Sequence, residues 1–459
     1  MSTQQHHHNS QQKRRHIKKR RNSRRRRVLL YRRLIVGGFA ILTVLALSLL
    51  ISHAFKGKKD PADKETKKVS SVTVKNEKDK EGEEKVKEAS ATILTAGDII
   101  VHKPFLTSSQ YLRSDGTYDY NSIFTYVKDD YEAADFTVTT VEGALTEGNY
   151  SGYPMFCSPD AVATTLSNNG VDMCLLANNH IYDNFDNGLQ RTMDVMTANS
   201  LLYTGLRKTT ADKPYLIQEI NGIKVGFFNY VFETERVNGQ KTINGIAVSD
   251  ESSELINSFN SQDLDSFYSK IETGLQEMKE EDVEFTIVYM HWGIEYQTTE
   301  SAEQDAMAQK LCDLGVDALI GSHPHVIQPV DLLASSDGSH QMLCAYAIGN
   351  LLSNQRTEYM DGLAYGHTED GVMLELTIQR DSERRISITK ADFTPTWVAH
   401  FTNNDAEYYI LPVNEPENLP ATTGMDVTAD ARESLERTNA IIGAGVQKVQ
   451  NALPILENK

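Results

Sequence analysis

From Ala91 onward, short apolar runs keep ending in residues able to bind a metal ion, and this coincidence constrains the fold more than any other feature. ATILTAG leads into Asp98, FTVTTV into Glu142, and MCLLA into Asn178, Asn179 and His180; FTIVYM ends at His291, and ALIGS at His323 and His325. Runs of this length and β-branched content, with KVGFFNYV and LCAYAIGN between and after them, read as buried strands. Helix-like stretches at Ser158–Asn169, Asp186–Ala198, Leu264–Glu281 and Glu300–Leu314 separate several of them. Strands alternating with helices imply an α/β domain with a largely buried sheet. VMLELTIQ and RRISITKADFTPTWV alternate more and lack intervening helices, so the sheet is expected to be mixed.

Ligands in open α/β sheets bind beyond the carboxyl ends of the strands, where loops converge. Each residue alone has a plain structural explanation. Asp98 suits a turn or helix cap, Glu142-Gly143 a turn, and Asn178-Asn179 a left-handed bend. His291 before Trp292 suits a core histidine. His323-Pro324-His325 is harder to explain that way, because the proline stiffens a loop carrying two imidazoles. Five strand ends of this kind together point to one site.

Imidazole, carboxylate and amide oxygen without thiolate suit divalent ions such as Mn²⁺, Zn²⁺ or Fe²⁺. Two carboxylates with three or four histidines exceed what one tetrahedral zinc requires. They suffice for two ions roughly 3.5–4 Å apart sharing a bridging carboxylate. Cys157, Cys174, Cys312 and Cys344 lack zinc-ligand spacing, and Cys174 and Cys344 sit in strand-like runs, so buried thiols are expected rather than a disulfide framework.

The ordered segments GDIIVHKPF, TVEGALT, YPMFCSP, LANNHIYDNFDNGL, MHWGIEY, GSHPHVIQP and YAIGNLLSNQ, with the later TPTWVAHF, resemble the CapA family of capsule-synthesis proteins. The resemblance covers Ala91 to His400. That family looks like a branch of the calcineurin-like metallophosphoesterases, which implies a four-layer α/β/β/α sandwich. It further implies Asp98 as a first metal ligand, Glu142 as a bridging carboxylate, and Asn179, His291, His323 and His325 as the remaining ligands. His180 becomes the group that protonates a leaving group or steadies developing charge, with Asn179 beside it, while Asn178 and Asn350 are expected at the substrate rim. The family's usual Asn-Leu-Glu is Thr140-Val141-Glu142 here, and the phosphoesterase Asp-x-His is absent. His102, four residues after Asp98, is the candidate substitute ligand.

The domain has an asymmetric prelude. Residues 1–33 hold 13 Lys or Arg and no acid, so the rest of the chain sets 33 bases against 63 acids. Residues 34–55, LIVGGFAILTVLALSLLISHAF, are 22 apolar or uncharged positions apart from His53. At about 1.5 Å per residue they match the ~30 Å core of a bilayer. The flanking basic bias predicts a cytoplasmic tail over 1–33, a single transmembrane anchor over 34–55, and an extracytoplasmic remainder. Beside such a span the basic run suits anionic lipid, not nucleic acid. Residues 56–90 are rich in Lys, Glu, Asp and Ser and are expected to form a disordered stalk. A catalytic or binding domain over 91–410 and a C-terminal extension over 411–459 with a peripheral helix complete the expected order.

Two functions fit these features. One is assembly or export of capsule polymer, with an anionic chain such as poly-γ-glutamate held by bound cations and membrane synthase subunits as partners. The other is a metal-dependent hydrolase, a phosphoesterase acting on an envelope polymer. A non-catalytic structural envelope protein with a relic site is the alternative to both.

Overall fold

The computed structural model describes residues 87–360, 366–402 and 405–456, which form one compact unit. The apolar run at 34–55 and the segment 56–86 lie outside the described residues. Among the described residues no helix is long and apolar enough to cross a membrane.

Two sheets dominate. Strands β1 (Ala89–Ile100), β2 (Phe136–Glu142), β3 (Met173–Leu175) and β4 (Leu202–Thr204) build one half of the first sheet. The second contains β5 (Leu216–Ile220), β6 (Ile223–Phe232), β7 (Ser258–Phe259), β8 (Phe285–His291), β9 (Ala318–Ser322), β10 (Val330–Ala334) and β11 (Gln341–Ala345). The chain then returns to the first sheet with β12 (Asn350–Leu352), β13 (Asp370–Arg380), β14 (Ile386–Phe401), β15 (Glu407–Pro412) and β16 (Ile455–Leu456). The first sheet runs β15–β14–β13–β1–β2–β3–β4, with β12 also on β1 and β16 on β14. The second runs β7–β6–β8–β9–β11–β10, with β5 on β6.

Pairing is parallel among β1 to β4 and antiparallel among β1, β13, β14 and β15, the mixture the alternating pattern of the late strands predicts. Side chains of a strand alternate between its two faces, so a strand buried on both sides must be apolar throughout. FTIVYMH of β8 comes close: Thr286 is buried with its hydroxyl donating to the Asp317 carboxylate, and His291 ends the strand. Ile287 and Tyr289 face the core between the sheets, where Ala91, Ile93, Phe136, Val138, Val225 and Phe227 also lie, whereas Val288 and Met290 face outward.

Each outer face carries helices. Val162 and Leu166 of α1 (Ala161–Asn168) and Leu189 and Met193 of α2 (Phe185–Ala198) share a core with Leu94 and Ala96 of β1. Phe267 and Ile271 of α3 (Leu264–Glu280) and Met307 and Leu311 of α4 (Ala302–Asp313) cover the second sheet. A reciprocal Ser301–Gln304 capping box starts α4. The layering is therefore helix, sheet, sheet, helix. All four cysteines are buried thiols.

Three expectations change. The strand expected to end at Asp98 continues to Ile100, past a register shift between Ala96 and Asp98. LCAYAIGN is two strands in different sheets, β11 and β12. The C-terminal segment is not a peripheral extension: β15 begins at Glu407, ahead of the expected boundary, and Ile442 and Val449 of α5 (Thr428–Ala452) enter the core between the sheets. The polar composition of α5 hides this face, because Ile442, Val446 and Val449 recur only at helical spacing.

Candidate metal centre

The first carboxylate owes its place to a bulge. A β-bulge re-aims the side chains beside it, and Asp98 stands at one while its backbone pairs with Asn350 of β12 and Thr140 of β2. The approach of β12 demands glycine at 97, since a Cβ there would lie 2.1 Å from the Gly349 carbonyl oxygen. Glu142 and His291 are the last residues of β2 and β8. After β9 the chain turns through His323 and His325, with φ of 93° and 57° on either side of Pro324. Non-glycine residues in the left-handed region cost about 1–3 kcal/mol each and persist where surrounding structure holds them, commonly at functional sites.

These elements bring Asp98, Glu142, Asn179, His180, His291, His323 and His325 together. Carboxylate and imidazole atoms of Asp98, Glu142 and His291 lie within 4.8 Å of one another, as do those of Glu295, His323 and His325. The groups adjoin: His325 Nε2 is 3.8 Å from Glu142 Oε1. Asn179 Oδ1 is 2.8 Å from His291 Nε2, and Ser322 Oγ is 2.9 Å from His291 Nδ1. The backbone N–H of His323 donates to Asp98 Oδ2 at 3.1 Å. His180 places Nε2 4.0 Å from Glu142 Oε1 and Nδ1 2.7 Å from Asp183 Oδ2.

Burial sets the electrostatics. It pushes the Asp98 carboxyl up to about 7 and holds Glu142 well above the usual carboxylate range, with Asp98 adding repulsion. Burial also lowers His323 to about 3 and holds His291 and His325 well below the normal imidazole value. The histidines are therefore neutral, with lone pairs available to a cation. Asp98 Oδ1, both Glu142 carboxylate oxygens and His323 Nδ1 are buried without a hydrogen-bond partner. Unpartnered buried polar groups cost several kcal/mol in an apolar setting, so this donor set fits a divalent cation, which would reverse the penalty on both carboxylates.

Three expected site residues are placed differently. His102 belongs to neither group; its Nε2 is 3.3 Å from Ser353 Oγ and its ring stands edge-on to Phe156 at 5.0 Å. Asn178 is fully buried, not at a rim. Its amide donates to the carbonyls of Val141 and Leu176, and its Oδ1 accepts from the N–H groups of Gly143 and His180. Asn350 is likewise buried; its Oδ1 is 3.2 Å from His325 Nδ1, and its amide donates to His325, Gln355 and Thr368. Both asparagines hold the loops that carry ligands. An amide beside an apolar run looks the same in sequence whether it faces solvent or a neighbouring loop.

Sequence reasoning missed Asp183, Ser322 and Glu295. Asp183 also accepts the Phe156 N–H at 2.6 Å, so it locks His180 onto the loop after the cis Tyr153–Pro154 bond. Its signal was the three-residue spacing from His180. Glu295 sat within MHWGIEY, four residues after His291, without a strand end to mark it.

Several known proteins are similar to this chain. Capsule biosynthesis protein CapA of Bacillus anthracis is 27% identical over 226 residues, covering 48% of this chain and 50% of that protein. The chain thus spans about half the length of that relative. PGA biosynthesis protein CapA of Bacillus subtilis (strain 168) is 23% identical over 318 residues, 67% of this chain and 74% of that one. The solved calcineurin-like phosphoesterase YfkN of Bacillus subtilis is 16% identical, covers 77% of this chain and 100% of its own, and superposes with a TM-score of 0.37. The profile of the bacterial capsule synthesis protein PGA_cap matches residues 92–355, more than half of the chain, and the protein belongs to that family.

Proposed function

We propose that this chain is a membrane-anchored, extracytoplasmic CapA-like protein of capsule or related envelope-polymer biosynthesis, whose site binds two divalent cations, Mn²⁺, Zn²⁺ or Fe²⁺. The observation that carries this reading is the set of buried, unpartnered carboxylate oxygens on Asp98 and Glu142 among neutral histidines. Asp98, Glu142, Asn179, His291, His323 and His325 would hold the cations. When bound, they supply positive charge and Lewis acidity. After residue 33 the chain carries 33 bases against 63 acids. Such a surface repels a polyanion, so cations at the site are the attractive element for a polymer such as poly-γ-glutamate. Membrane synthase subunits are the partners this role requires.

The His180–Asp183 pair favours a second reading, hydrolysis of a phosphoester in an envelope polymer. Asp183 fixes Nδ1 of His180 as the protonated nitrogen and directs Nε2 toward Glu142 and the cation ligands. An imidazole held this way can take up a second proton at Nε2 and deliver that proton to a departing oxygen. Asn244 adds a side-chain amide 3.4 Å from the same ring.

The test uses full-length protein in detergent, with bound metal measured by elemental analysis. Poly-γ-glutamate binding and hydrolysis of a generic phosphodiester are then assayed with Mn²⁺ or EDTA. Metal-dependent polymer binding without turnover supports assembly, and turnover lost in His180→Ala with metal retained supports the hydrolase. Absence of bound metal under all conditions refutes both. Carbonate extraction of membranes tests the anchor: deleting residues 34–55 is expected to release the protein.

A further inference from the structure

The aspartate that opens the site lacks the nearby histidine expected to follow it, and His102, the candidate replacement, points to Ser353 instead. The group around His323 and His325 nevertheless contains a third ligand-type atom, from Glu295. This acid is exposed, and an exposed acid alone would mean nothing. Two observations separate it from ordinary surface charge.

First, its backbone is fixed to the histidine loop. The Tyr296 N–H donates to the Pro324 carbonyl at 2.8 Å, between the two histidines, and Tyr296 adopts φ of 65°. The following residues are held by Gln328, a fully buried amide that donates to the carbonyls of Gln297 at 2.9 Å and Thr299 at 3.0 Å. Gln328 is itself anchored by the Gln304 amide at 2.8 Å. Buried amides satisfied in this way rigidify the loops they join. Second, His323 is buried with only 4% of its surface exposed, and its Nδ1 has no partner. The ring that carries this unsatisfied nitrogen also brings a ligand-type atom within 4.8 Å of the Glu295 carboxylate and the second imidazole.

We propose that Glu295 is a metal ligand, giving a carboxylate oxygen to the cation shared with His323 and His325 in place of the missing histidine after Asp98. This rests on the metal-binding reading above. A carboxylate on a solvent-facing loop also makes this side of the centre the more readily exchanged one, since the Asp98, Glu142 and His291 group is wholly buried. The two cations are then unequal: one is enclosed, and one is held partly by a loop that solvent reaches.

The test compares full-length wild type, Glu295→Gln, Glu295→Asp and His102→Ala, each stripped with EDTA and titrated with Mn²⁺ alone. Calorimetry gives stoichiometry, and electron paramagnetic resonance reports whether two Mn²⁺ ions are exchange-coupled. Wild type is expected to bind two ions and show coupling. Glu295→Gln should keep the tighter site, bind the second ion about tenfold or more weakly, and lose the coupled signal, with partial rescue in Glu295→Asp. Unchanged melting temperatures in EDTA would exclude misfolding, and an exposed position makes that the expected result. If wild type binds no Mn²⁺, the metal reading itself fails. Two ions bound equally by wild type and Glu295→Gln would leave that reading intact and overturn this proposal. Loss of the second ion in His102→Ala but not in Glu295→Gln would also overturn it.

Discussion

Replacing Asp98 by Asn should stabilise the metal-free protein and abolish its stabilisation by metal, two effects of opposite sign from one atom. Burial raises this carboxyl from 3.8 to about 7. Well below pH 3.8 it is protonated in both folded and unfolded chains and contributes no penalty. As pH rises toward 7 the unfolded chain releases a proton that the folded state retains, so folding loses stability throughout that window. At about pH 8 the accumulated penalty is about 4 kcal/mol, at about 1.4 kcal/mol for each tenfold step in proton affinity, and near pH 5.5 it is roughly half that. Asn keeps an oxygen to accept the His323 N–H and offers its amide to Glu142, so little else is lost. Urea denaturation in EDTA should therefore show Asp98→Asn more stable by up to about 4 kcal/mol at pH 8, with the advantage shrinking toward pH 5.5. The buried histidines are common to both proteins, whereas Glu142 is also relieved of the repulsion from Asp98 in the variant, which acts in the same direction. Adding Mn²⁺ at about a thousand times its Kd stabilises wild type by about 4 kcal/mol, and the variant should gain far less. A metal-free variant less stable than wild type at pH 8, or an advantage independent of pH, would refute the reasoning.

Two glycines of α5 should respond oppositely to alanine. A Cβ at Gly445 would lie 1.6 Å from the Val330 carbonyl oxygen, whereas one at Gly443 meets nothing within 4 Å. Gly443→Ala should stabilise by up to about 1 kcal/mol through helix propensity. Gly445→Ala should instead destabilise by about 1–3 kcal/mol as the helix is forced off the sheet, read as opposite shifts in urea midpoint. Asp183→Ala should remove the one oxygen, Oδ2, that accepts both the Phe156 N–H and the His180 Nδ1–H, release the His180 proton from Nδ1, and cost about 1–3 kcal/mol. ¹⁵N chemical shifts of His180 report the tautomer directly, and an unchanged tautomer would contradict the assigned role of Asp183.

Much of this protein is local in origin. Each strand and helix follows from the spacing of apolar residues, and turn chemistry puts polar residues where apolar runs stop. That is why Asp98, Glu142, Asn179, His180, His291, His323 and His325 were legible from the residues and their order. Local patterning is silent on which loop meets which. Asp98 and His323, joined by a hydrogen bond, are 225 positions apart, and only the packing of the two sheets on one another brings them together. The same long-range packing buries Asn178 and Asn350 behind the ligands and gives His180 its aspartate. It seats α5 in the core and pins Glu295 beside the paired histidines. The sequence by itself determined the elements and the chemistry at their ends, because periodicity and turn preference act over a few residues. Only the tertiary structure decided which of those ends share one site, because that depends on strand pairing and burial between segments far apart in the chain.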